Sequence, residues 1–143
     1  RQRLAYVGHS YGAQFGAILA AVDKRLKAAV LMAGIPDMEA LLLESHTPRI
    51  EGWREKNKEQ IAKALPLLRA TAAVEFVPHA APVHLLFQFA RFEWEFSQSA
   101  MERYYRAASE PKQVLWYDTG HELNDPQALR DRVKWLNRLR IIP

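Results

Sequence analysis

Short apolar runs alternate along the chain with segments whose apolar residues recur at helical spacing. The first run, Leu4-Ala5-Tyr6-Val7, stops at Gly8, and Tyr11, Phe15, Ile18, Leu19 and Val22 then fall on one face of a predicted helix. Gly12 and Gly16 in that helix are expected to let it lie close against a sheet. Ala28 to Ala33 reads as a second strand, apolar on both faces as an interior parallel strand requires, and it ends at Gly34. Further strands are predicted at Val83 to Phe89 and Gln113 to Tyr117. Between the second and third, residues 35–80 form an irregular or helical excursion in which acids and bases mix with Pro36, Pro48, Pro66 and Pro78. A helix from about Trp53 to Ala64 is expected there, ended or kinked by Pro66. The pattern Ser99-x-x-Glu102 predicts a capping box at the start of a helix with Met101, Tyr104, Tyr105 and Ala108 on one face. Asp125 followed by Pro126 predicts the start of a last helix. Strands alternating with crossover helices imply an α/β fold with parallel pairing.

Composition adds limits rather than detail. At 143 residues, 49% hydrophobic and 25% charged, the chain fits one domain around one core. No uncharged apolar run approaches the ~18 residues a membrane helix needs, so no membrane span is predicted. The absence of cysteine excludes disulfides, thiolate metal sites and a cysteine nucleophile, and leaves the compartment undetermined, with the cytoplasm as the default expectation. The net charge of +4 is spread among acids, as in Arg54, Glu55, Lys56, Lys58 and Glu59, and Arg130 to Arg140 reads as a solvated helix face. No nucleic-acid partner is expected from such a distribution.

The chemistry gathers at Gly8-His9-Ser10-Tyr11-Gly12, a G-x-S-x-G sequence placed between a predicted strand and a predicted helix. A serine held in a strained strand-to-helix turn needs neighbours without a Cβ on either side, which Gly8 and Gly12 supply. The turn would present the Ser10 hydroxyl at the carboxyl end of the sheet. It would also leave the Tyr11 N–H at the helix start, aimed where an oxyanion forms. The plainer reading is a glycine-rich turn with an idle serine. A serine hydroxyl attacks only when a base takes its proton, so a histidine from another loop is required. Of the five histidines, His9 lies in the turn and is expected to point away from Ser10, His84 lies in a strand, and His46 and His79 belong to the excursion. His121 follows a strand in Asp118-Thr119-Gly120-His121-Glu122, where Gly120 would permit a sharp turn, and it is the expected base.

These residues resemble the α/β-hydrolase superfamily, in particular its esterase, dienelactone-hydrolase-like and prolyl-oligopeptidase-like branches. The matching pieces are Gly8 to Gly12, Met32-Ala33-Gly34, Pro82 to Glu93 and Gly120-His121, which extend over nearly the whole chain. The resemblance implies a three-layer α/β/α fold with a mostly parallel sheet, of which residues 1–143 supply the C-terminal part, its last four strands. It further implies a catalytic triad with its acid after the third strand. The common glycine and aspartate of that segment are replaced by Ala90-Arg91-Phe92-Glu93, which puts Glu93 at the acid position, with Glu95 and Asp37 as rivals. The implied activity is cleavage of an ester, thioester or amide bond of a small acyl substrate through an acyl-enzyme, with no metal or organic cofactor. A non-catalytic binding module and an acyltransferase are the alternatives. The family's preceding strands and its second oxyanion donor have no counterpart here, so Leu4 to Val7 is expected to pair with a further segment or another chain, and the isolated chain to be of low activity.

Overall fold

The computed structural model describes residues 4–142. Four strands, β1 (Leu4–His9), β2 (Leu26–Met32), β3 (His84–Ala90) and β4 (Lys112–Tyr117), form one sheet in the order β1-β2-β3-β4, and each adjacent pair is parallel. The strand residues alternate between two cores. Leu31, Leu85, Phe87 and Phe89 pack with α1 (Tyr11–Val22) and α5 (Gln98–Ala107), while Val30 and Leu86 pack with Trp135 and Leu136 of α6 (Pro126–Arg138). This makes three layers, with β3 covered on both faces from Leu85 to Ala90, and its one buried polar side chain, Gln88, donates to the Tyr117 hydroxyl and the Ala128 carbonyl.

Gly16 brings the helix after β1 close to the sheet as expected, and of the shared apolar face Leu19 packs against the core. The buried residues of this helix are Ala13, Gln14, Gly16, Ala17 and Ala20, whereas Tyr11, Phe15 and Val22 are exposed. The helix sits so near the sheet that only small side chains fit between them; a Cβ on Gly16 would come within 2.5 Å of the Tyr6 ring. Tyr11, Phe15 and Val22 therefore point outward, and Leu4 and Val7 of the edge strand β1 are exposed as well.

Between β2 and β3 the chain forms a π-helical turn at Ala40–Glu44, then α2 (Pro48–Lys56), α3 (Lys58–Arg69), α4 (Ala73–Phe76) and a 3₁₀ turn at Val77–His79. The single helix expected from Trp53 to Ala64 is thus two, divided at Asn57. There the Asn57 amide side chain donates to the Trp53 carbonyl at 2.8 Å, offering the backbone an alternative to helix continuation. Pro66 does not end the helix: α3 runs through it to Arg69, with the proline on the exposed side. The cap of α5 is Ser97, whose Oγ accepts from the Ala100 N–H at 3.2 Å, rather than Ser99. Glu102, the expected reciprocal partner, instead joins Gln98 and Arg106 along the helix. The cap of α6 is Asp125, as expected, with its carboxylate accepting from the Gln127 N–H at 2.7 Å.

The turn between β1 and α1 separates its two glycines. Ser10 is held at φ 56° and ψ −119°, a region a side chain rarely adopts, and main-chain bonds enforce it: Ser10 N–H donates to the Met32 carbonyl at 2.8 Å, and the Ser10 carbonyl accepts from Ala13 and Gln14. A Cβ on Gly8 would lie 2.4 Å from the Gly12 carbonyl oxygen, so Gly8 has no substitute. A Cβ on Gly12 would meet only the Tyr6 hydroxyl at 3.8 Å, an ordinary contact, so the expected clash at that position is absent. Gly8→Ala should accordingly cost about 2 kcal/mol or more of stability. Gly12→Ala, inside the first turn of a helix, should be neutral or stabilising by up to ~1 kcal/mol. Denaturant melts of the two variants check this, and equal losses would contradict it.

Candidate active site

All the loops that carry candidate residues leave the carboxyl ends of the parallel strands, the edge at which ligands meet such sheets. Ser10 follows β1, Asp37 follows β2, Glu93 and Glu95 follow β3, and His121 follows β4. The structure brings three of them into one hydrogen-bonded series. His121 Nε2 lies 2.9 Å from Ser10 Oγ, and His121 Nδ1 lies 2.8 and 3.0 Å from the two Glu93 oxygens. A carboxylate only accepts, so Nδ1 carries a hydrogen and Nε2 is left to accept from the Ser10 hydroxyl.

Glu93 is the most enclosed member, with its side chain 1% exposed against 14% for His121. Its Oε1 also accepts from the Trp94 and Glu95 N–H groups at 3.0 and 2.9 Å, so the buried carboxylate is met by donors from its own loop. The His121 pKa responds to opposed influences: burial lowers it, while the Glu93 hydrogen bond and charge, with the charges of Glu95 and Glu122, more than offset this. The net result lies above the ordinary histidine value. The imidazole is also boxed in by rings: Phe96 at 6.0 Å between centroids, Trp94 at 6.2 Å and His9 at 5.1 Å.

The rival acids are placed elsewhere. Asp37 accepts from the Ala40 N–H at 2.6 Å and pairs with Arg103 at 3.1 Å, which engages it in holding the π-helical turn. Glu95 faces the cavity beside Ser10 and His121, and its carboxylate reaches the imidazole by charge rather than by a hydrogen bond. Among the other histidines, His46 pairs with Glu51 on the surface, His84 opens β3 and His79 ends the 3₁₀ turn. His9 does not turn away from the site: its Nε2 is 2.7 Å from the His121 carbonyl oxygen. Gly120 is needed for space rather than for its turn, since a Cβ there would lie 2.2 Å from the Trp94 ring.

A cavity of about 680 Å³ opens over Ser10 and His121. Its wall is supplied chiefly by the excursion, with Ile35, Met38, Leu41, Leu42, Trp53 and Leu68 giving an apolar lining interrupted by Arg49 and Glu95. Arg54 binds this wall together by donating to the carbonyls of Leu42, Leu43 and Ser45 at 3.0–3.1 Å. No sequence signal pointed to Arg54, because its role arises from contacts between α2 and the π-helical turn. Trp94 and Phe96 did carry one, the alternation of aromatic residues around Glu95 just past the candidate acid. Among the described residues, no group of three or more His, Cys, Asp or Glu side chains is placed to hold a metal ion, and no helix is long and apolar enough to cross a membrane.

No family model matches the chain, and no curated protein sequence matches it. Solved structures do. An acetyl xylan esterase from Paenibacillus sp. R4 superposes with a TM-score of 0.75 at 19% identity, over 94% of this chain and 44% of that one. Acetyl xylan esterase 1 from Thermoanaerobacterium sp. JW/SL YS485 does so with a TM-score of 0.76 at 14% identity, over 99% and 46%. A puromycin hydrolase gives a TM-score of 0.76 at 14% identity, over 98% of this chain and 22% of that one. The chain therefore spans less than half the length of each of these hydrolases. Such identities establish fold and nothing finer: with four parallel strands flanked by helices on both faces, the chain has the α/β-hydrolase fold, of which it makes up a part.

Proposed function

We propose that this chain provides the catalytic residues of a serine hydrolase that cleaves an ester, thioester or amide bond through an acyl-enzyme. The observation that carries the reading is the unbroken series Glu93–His121–Ser10, with each hydrogen bond at 2.8–3.0 Å and the acid almost wholly enclosed. In this mechanism Ser10 Oγ attacks the acyl carbonyl while His121 Nε2 takes its proton, and the imidazolium is stabilised by Glu93. The tetrahedral oxyanion faces the Tyr11 N–H, which lies at the first position of α1 and, among the described residues, is engaged by no main-chain carbonyl. His121 then returns the proton to the leaving group, and the same steps with water as nucleophile release the acid. No metal or organic cofactor enters these steps.

The substrate class follows from the cavity. Its volume is that of a small-molecule site, and its apolar wall suits the hydrocarbon part of an acyl group or of the leaving group. The outward face of α1 and the free edge of β1 supply the surface against which further strands would pack, and we assign them to that contact, with a preceding segment or another chain as the occupant.

Two expected outcomes test the reading in the protein that carries this chain. Ser10→Ala should reduce turnover of a nitrophenyl ester by at least about a thousandfold with little change in thermal stability, since the hydroxyl sits on the surface of a core it does not build. Retained turnover would end the assignment.

The second outcome concerns pH. The reaction needs neutral His121, so kcat/KM should fall as the pH drops through the His121 pKa, which lies above the ordinary histidine value. In Glu93→Gln the charge that raises this pKa is gone, so the acidic limb should move to lower pH while the maximal rate falls by roughly 10³-fold or more. A limb that stays in place would separate Glu93 from the titrating group.

A further inference from the structure

A second hydrogen bond, besides that between Ser10 and His121, joins the β1 turn to the β4 loop. His9 Nε2 lies 2.7 Å from the His121 carbonyl oxygen, and since a carbonyl only accepts, His9 is the donor through Nε2–H. The two rings meet edge to face, with centroids 5.1 Å apart and planes inclined by 60°. Within the β4 loop, Leu123 N–H closes a turn onto the Gly120 carbonyl at 3.1 Å, a bond that does not use the His121 carbonyl, which accepts from His9.

We infer that His9 is a positioning residue, whose Nε2–H holds the His121 main chain over the sheet while the Ser10–His121 bond is made and broken. The inference rests on the serine-hydrolase reading above. Its physical basis is the width of the sheet. β1 and β4 are its opposite edges, three spacings apart or roughly 14 Å, so the β4 loop must lean back across the ends of β2 and β3 to reach Ser10. On its β3 side the loop is held by the Arg91 and Phe92 N–H groups, which donate to the Tyr117 and Thr119 carbonyls at 2.9 and 3.1 Å, and by Glu93. On its β1 side the hydrogen-bonding holds, among the described residues, are Ser10 Oγ and His9 Nε2.

Those two holds differ in permanence. Once Oγ has bonded to the acyl carbon it has no hydrogen to give, and His121 Nε2 serves the leaving group as the tetrahedral adduct collapses and then the attacking water. The His9 proton takes no part in these transfers, so its bond spans every step. Without it, the β1 side of the loop is untethered during the interval in which the imidazole must meet the leaving group and the attacking water. Displacements of about 1 Å in such alignment are costly to rate and not to binding.

Two variants separate the donor from the bulk of the ring. His9→Leu fills similar space and donates nothing, whereas His9→Gln carries an N–H donor at comparable reach. With active sites counted by a fluorophosphonate titrant, His9→Leu should lose about tenfold in kcat on a nitrophenyl ester with KM within twofold, and His9→Gln should recover most of the loss. Hydrogen exchange, which needs no turnover, should show faster exchange of the main-chain amides from Thr119 to Leu123 in His9→Leu and near-normal exchange in His9→Gln. Wild-type kcat together with unchanged exchange in His9→Leu would overturn the inference. Equal losses in both variants would also overturn it, by showing that ring shape rather than donation matters. If the wild-type protein has no turnover that Ser10→Ala removes, the serine-hydrolase reading fails separately, and unchanged loop exchange in His9→Leu would then dispose of the His9 tether itself.

Discussion

In this parallel sheet the serine turn and the histidine loop begin at opposite edges, and the remaining features of the site are arranged to close that gap. The closure is made from the middle. Glu93 follows β3, lies between the two edges and offers both carboxylate oxygens to His121 Nδ1, which directs the other ring nitrogen toward Ser10. A carboxylate so enclosed is tolerable because the Trp94 and Glu95 N–H groups meet it along with the imidazole. The same loop then supplies Trp94 and Phe96 as walls for the imidazole, and the absence of a Cβ at Gly120 gives the Trp94 ring its place. Glu93, His121 and the rings around them therefore form one unit, anchored to the most deeply buried strand.

The serine end is held by strain. A positive φ at a residue with a side chain costs about 1–3 kcal/mol, and it persists only where surrounding bonds leave no alternative. Here those bonds come from the Met32 carbonyl and from the first turn of α1. The close seat of α1 on the sheet, built from alanines and Gly16, fixes the direction in which Ser10 is presented. That seat also explains the exposed Tyr11, Phe15 and Val22: a helix that needs its small face inward has its large side chains on the other side. Residues 35–80 contribute no member of the hydrogen-bonded series, but they wall the cavity above it, bound together by Arg54.

Features that leave a mark in local residue order were the legible ones. The four strands, the strained turn at Ser10 and the Asp125 cap are each signalled by spacing and residue type over a few positions, even where distant partners complete them. Glu93 was reached by resemblance, because pairing between the ends of β3 and β4 leaves no local trace. Where local signals competed, the tertiary setting chose. The capping-box pattern pointed to Ser99, but Ser97 occupies the cap, with its Oγ also donating to Glu44 of the π-helical turn at 2.5 Å. Periodicity placed the large residues of α1 on one face, but it measures hydrophobicity and cannot measure the clearance above a sheet, which exposes Tyr11, Phe15 and Val22. His9 was set aside for the same kind of reason: the carbonyl it binds belongs to a loop 112 residues away.

The claim on which the account turns is that Ser10 is an activated nucleophile and not an idle turn residue. The most direct measurement is covalent labelling by a fluorophosphonate, followed by mass mapping of the tryptic peptide Leu4–Lys24. The account predicts a single adduct on Ser10 that forms in the native protein and is lost in His121→Ala, because without the base the hydroxyl has no acceptor for its proton. An unlabelled Ser10 in folded protein, or labelling that persists undiminished without His121, would contradict it.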